Sequence, residues 1–141
     1  MSTLKVTNVA HETSTLNTLV FDNGGGSGNG RVTTKGTIGE ITAVSYASTI
    51  TLDFRTGNNF STTLTGNVTF ANPSNISAGQ SGVLFITQDG TGSRTASWNA
   101  AFKWAGGTAP TLTTTAAAVD RIDYLIKASN VIHAVASLDV K

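Results

Sequence analysis

Few residues of this chain carry groups that catalysis needs, and they are scattered. Asp120 and Asp123 flank Arg121, and a pair of carboxylates can divide acid and base work at a glycosidic bond. On a strand, however, positions three apart point to opposite faces, so this trio reads as charge that solvates an outer face. The two histidines are His11, beside Glu12, and His133. His133 stands between Val131 and Val135 in an alternating stretch and reads as a half-buried packing residue. Gly79-Gln80-Ser81-Gly82 does not fit the Gly-x-Ser-x-Gly turn that raises a serine nucleophile. The glycines from Gly24 to Gly30 fail as a phosphate loop, because no Gly-Lys-Ser/Thr follows them and no helix is predicted to supply an anion-binding terminus. Asp89-Gly90-Thr91-Gly92 offers Ca²⁺ a single carboxylate, which is too few, and the same residues are explained by a hairpin. The chain has no cysteine, which removes disulfides, thiolate metal sites and a cysteine nucleophile. Two histidines are too few for a multi-histidine metal site. No catalytic, cofactor-binding or metal-ligating residue is therefore assigned, and the chain is not expected to be an enzyme.

Aromatic side chains offer more. Trp98, Phe102 and Trp104 fall close together, beside Arg94 and Lys103. Exposed, such a cluster could stack on a sugar ring or anchor a protein interface. Buried, it would plug one end of a core. Trp98 and Trp104 share a strand face only if Asn99-Ala100-Ala101 is not a turn, and those residues read as a turn.

The elements that would position these groups follow from composition. Only 12% of the 141 residues are charged and the formal net charge is +1. Nucleic-acid binding needs a basic excess, so it is not expected. Polarity comes instead from 24 Thr, 13 Ser and 11 Asn beside 15 Gly, a mixture that suits strands and turns. No apolar stretch approaches the roughly 18 residues of a membrane helix, and no secretory h-region is visible near Met1, so membrane insertion and cleavage are not expected. Without such a signal, the Asn-x-Ser/Thr triplets at Asn59, Asn67 and Asn75 read as chance.

A glycine-rich segment, 23–30, divides the chain. Residues 1–35 read as an extended N-terminal arm with this segment as its hinge. The arm's apolar residues Leu4, Val6, Leu16, Leu19, Val20 and Phe21 are too few for a core and are expected to bind a partner. Fully extended, the arm could span about 115 Å, against a gyration radius of about 14 Å for a compact chain of this size.

Residues 36–141 read as an all-β domain, an antiparallel β-sandwich or jelly roll. Ile50, Leu52 and Phe54 alternate with polar residues, as do Phe60, Thr62 and Leu64, and Val68 and Phe70. Gly57-Asn58-Asn59 and Gly66-Asn67 fall where hairpin turns belong. Gly82 to Thr87 is apolar on both faces, which predicts a central strand. Ile122, Tyr124 and Ile126 share one face of a late strand, and Asn130 turns it into a last one. A single helical turn is the rival reading for Thr115 to Asp120.

Beyond these patterns, Phe60 to Leu112 resembles a small β module of tailed-bacteriophage virion proteins. The resemblance rests on Leu64-Thr65-Gly66-Asn67-Val68-Thr69-Phe70, Pro73, Gly79-Gln80-Ser81-Gly82 and Gln88-Asp89-Gly90-Thr91-Gly92. Trp98, Phe102-Lys103-Trp104, Gly106-Gly107 and Pro110-Thr111-Leu112 complete it. It implies a structural virion protein, commonly a homotrimer, made in the host cytoplasm and released by lysis. It supplies no catalytic residue and no cofactor. A short arm on one sandwich suits a capsid decoration (cement) protein that bridges neighbouring subunits of the head. The alternative is a tail-fibre or tail-tip adaptor that binds a host-surface glycan through Trp98, Phe102 and Trp104. The expected partners are other virion proteins, either the major capsid protein or tail proteins.

Overall fold

Period-two alternation builds nine strands among residues 38–141, the part of the chain that the computed structural model describes. The arm, its glycine hinge and the six arm residues expected to bind a partner lie outside the described residues. The strands are β1 (Ile41–Ala43), β2 (Thr49–Ile50), β3 (Asn59–Leu64), β4 (Val68–Phe70), β5 (Ser81–Gln88), β6 (Ala96–Trp98), β7 (Phe102–Trp104), β8 (Val119–Ala128) and β9 (Val131–Ser137). A 3-10 turn at Ala105–Gly107 is the helical element among them.

The strands form two sheets, one of six strands in the order β1-β3-β5-β8-β9-β7 and one of three in the order β2-β4-β6. The chain alternates between them, so β1, β3 and β5 pair in parallel in the large sheet while β2, β4 and β6 pair in parallel in the small one. Parallel neighbours cannot be joined by a tight hairpin. Here each crossover is a strand of the opposite sheet, which winds the chain into successive coils. Only β5, β8 and β9 pair antiparallel, and β7 closes the far edge parallel to β9.

This corrects the antiparallel expectation. Gly57–Asn59 and Gly66-Asn67 are corners between sheets, not hairpin turns, and so is the Asp89–Gly92 segment between β5 and β6. Alternation tells which face of a strand is buried, and it is the same for a strand that returns beside its neighbour and one that crosses to the other sheet. Asn130, at φ 59°, does turn the one true hairpin, β8 to β9. The segment from Thr115 is no helix but a turn, with Ala117 at φ 60°.

One apolar core lies against both sheets. The expected inward set holds: Ile50, Leu52, Phe54, Phe60, Leu64, Val68, Phe70, Ile122 and Ile126 are all buried. Leu84, Ile86, Ile132 and Ala134 join them. Each large side chain contributes about 1.5–3 kcal/mol on leaving water. Of three buried polar residues, Gln88 and Asp120 pin loops to this core. Gln88 behaves as a peptide group, donating Nε2–H to the Arg94 carbonyl and accepting the Arg94 amide, both at 2.9 Å. Asp120 accepts the amides of Thr113 at 2.7 Å and Asp139 at 2.8 Å, tying the chain end to the loop before β8. Thr62 faces the core with its hydroxyl unpaired.

β5 is central, as its sequence predicts, yet its second face is not covered. Val83, Phe85 and Thr87 are only half-buried. No other described element covers the outer face of the large sheet, and the groups able to meet another molecule gather there.

Candidate functional site

The three candidate aromatics come together, by a route different from a shared strand face. Asn99 makes the predicted turn, its carboxamide oxygen accepting the Ala101 amide at 2.9 Å and its carbonyl the Phe102 amide at 3.0 Å. That turn carries the chain from β6 in the small sheet to β7 in the large one. Trp98 then stacks on Phe70 at 4.5 Å between ring centroids and meets Phe102 at 5.1 Å and Trp104 at 4.8 Å, both edge-to-face. These are the favoured geometries of aromatic pairs. Trp98 and Phe102 are thus core pieces, and the plug reading describes them. Trp98 Nε1 is buried without a partner.

Trp104 differs. It ends β7, the open edge strand, and is half-buried. Its ring packs on Trp98 and Phe102, on the core side that it shares with Phe102 and Ala134, and the residue borders an open trough of about 510 Å³ on the outer face of the large sheet. Lys103, Asp123, Leu125, His133 and Val135 line the same trough. Register explains the grouping. Lys103 of β7 is the partner of His133 on β9, which is the partner of Leu125 on β8. The next row, Trp104, Ala134 and Tyr124, points to the core; two residues along, Val135 pairs with Asp123, which pairs with Val83 of β5.

His133 therefore corrects the packing expectation. It is exposed, because the buried face of β9 is carried by Ile132 and Ala134, so His133 and Val135 point outward. Leu125 and Val135 are half-exposed, at 50% and 59%, and give the trough an apolar floor. The sequence contained half of the signal for this face. With Ile122, Tyr124 and Ile126 inward, Asp123 and Leu125 must point outward; the pairing across the hairpin adds His133 and Val135 to the same side.

The reading of Asp120, Arg121 and Asp123 as charge that solvates an outer face fails for Asp120, which is buried. Positions three apart do point to opposite faces, and Asp123 lies outside, where its Oδ2 accepts Arg121 Nε–H at 2.9 Å. Asp89 does not present a free carboxylate for Ca²⁺. Its oxygens accept Arg94 Nη2–H at 2.8 Å and the amides of Gly92 and Thr91 at 2.9 and 3.1 Å. The Arg94 bond is the largest cause that holds its carboxyl below the usual range, and the two amides act in the same direction. Beneath the trough, Tyr124 donates its hydroxyl to the Asn58 carbonyl, and burial pushes its ionisation far up.

A second recess, of about 410 Å³, lies toward the β1 side of the large sheet, and Ser45, Tyr46, Ser61, Thr63 and Thr87 give it a hydroxyl-rich wall. Among the described residues no group of three or more His, Cys, Asp or Glu could hold a metal ion. Among the same residues, no helix is long and apolar enough to cross a membrane.

Residues 46–126 match the family model described as "Putative phage tail fibre C-terminal domain". The chain belongs to that family. The tail fibre domain is thus a bacteriophage structural protein and a virion component. The match favours the tail-fibre alternative over capsid decoration, for which it gives no support. It runs from just before β2 into β8, and so takes in Lys103, Trp104, Asp123 and Leu125 of the trough but not His133 and Val135. No curated protein and no solved structure matches the chain.

Proposed function

We propose that this tail fibre domain contacts the host cell and binds a surface saccharide in the trough on the outer face of the large sheet. The observation that carries the reading is the convergence of Lys103, Asp123 and His133 over the apolar floor of Leu125 and Val135, on a sheet face that no other described element covers. An apolar floor suits the C–H faces of a sugar ring, and the polar groups suit its hydroxyls. The trough binds and does not turn over its ligand. The chain acts as a homo-oligomer, because the edges at β1 and β7 present unpaired backbone groups that neighbouring copies can cover.

Competition with adsorption tests the reading. The purified 141-residue chain is expected to block adsorption of the phage that carries it. Truncating an anchor at a well-packed contact costs about 2 kcal/mol or more, so Leu125→Ala, on the trough floor, should raise the blocking concentration about 30-fold. Unchanged blocking by Leu125→Ala, or sugar release from host polysaccharide by the unmodified chain, would overturn it.

A further inference from the structure

The charges in the trough are not balanced. Asp123 is occupied, its carboxylate held by Arg121 on the same strand face at 2.9 Å. Lys103 is exposed and makes no ion pair among the described residues. Its partner in the ladder is His133, also exposed, whose ring can donate a hydrogen bond. The trough thus presents one uncompensated cation and a donor beside it, above a floor of Leu125 and Val135. Apolar surroundings lower the local dielectric and strengthen any charge pair formed there.

From this we infer that the trough selects an acidic pyranose, a hexuronate residue, whose carboxylate pairs with Lys103 while its ring lies along the apolar floor of Leu125 and Val135. The inference rests on the saccharide reading above and sharpens it to one substrate class. A carboxylate fits better than a phosphate. A phosphate carries nearly two charges and is best met by several donors or an arginine fork. Among the described residues no arginine lines the trough, and Arg121, on the same sheet face, gives its Nε–H to Asp123. A neutral sugar would leave Lys103 without a counter-charge over the same floor.

The test uses the full chain and oligomers of galacturonate, glucuronate and mannuronate, each as free acid and as uncharged methyl ester, with a hexose 6-phosphate as a further probe. Calorimetric titration should show at least one free acid binding about tenfold or more tightly than its ester. Lys103→Gln should reduce that preference to near unity, with the ester's own binding unchanged. Leu125→Ala should weaken acid and ester alike. Raising the salt concentration should weaken the acid and spare the ester. Equal binding of acid and ester overturns the inference, as do a preference that survives Lys103→Gln, tighter binding of the hexose phosphate, or no binding of any uronate. The saccharide reading is judged separately, by the Leu125→Ala adsorption assay, and stands if that assay shows loss while the uronates fail.

Discussion

Gly82 shows how tightly single residues constrain this stack. A Cβ built on it would lie 1.8 Å from the Asn58 carbonyl oxygen, which is also the acceptor of the Tyr124 hydroxyl. Neither backbone atom can yield without moving β5 away from the corner before β3. Overpacking of this kind costs about 1–3 kcal/mol and sometimes more, and a contact with backbone belongs at the upper end. Gly82→Ala should therefore lower the denaturant midpoint sharply. Gly90→Ala, with nothing within 4 Å of the added carbon, should leave it nearly unchanged. Equal midpoints for the two variants would contradict this packing. The alternation of β5 announces Gly82 as a strand residue, but its close approach depends on where Asn58 arrives from another coil. His133 failed for a similar reason. Its alternating neighbours are clear in the sequence, yet which of the two sets points inward is decided by Ile126↔Ile132 and Tyr124↔Ala134 across the hairpin.

Among elements, what the sequence could convey was the buried face, and what it could not was the direction of pairing. Ile50, Phe60 and Phe70 are inward as their alternation requires. The coils carry no constant period that would betray them. Thr42 pairs with Phe60 and Phe60 with Leu84 in one sheet, while Thr49 pairs with Thr69 and Thr69 with Ser97 in the other, so successive turns differ in length. The aromatic plug was legible as a cluster, but its two roles were not, because they depend on which end of β7 faces the sheet edge. Those roles predict different costs. Trp98 touches Phe70, Phe102 and Trp104, so Trp98→Ala should destabilise by about 3–5 kcal/mol. Trp104 is half-buried on the edge strand, and Trp104→Ala should cost less, about 1–2 kcal/mol. Urea unfolding of both variants checks the order. If Trp104→Ala proved the more damaging, Trp104 and not Trp98 would be the centre of the plug.

For the whole molecule, so few charges make acid response traceable to the corners that hold the coils together. Asp53 accepts Asn75 Nδ2–H at 2.7 Å and the Arg55 amide at 2.9 Å, joining the turn after β2 to the loop after β4. Asp89 and Arg94 brace the corner from β5 to β6. The Asn75 bond, then the Arg55 amide, holds the Asp53 carboxyl below its ordinary 3.8, as Arg94 chiefly does for Asp89. Both carboxyls bind a proton more weakly folded than unfolded. Their stabilisation is therefore present above pH 3.8 and is lost as pH falls through the lower, folded values. The melting temperature should stay level from neutrality down to about pH 5 and drop steeply below about pH 4. Asp89→Asn should lower it at neutral pH, because the charge-assisted bond to Arg94 is gone, and should also shrink the gap between pH 7 and pH 3. A variant that melts lower at pH 7 yet loses as much on acidification as the parent would show that the corner carboxylates do not govern the acid limit of this fibre domain.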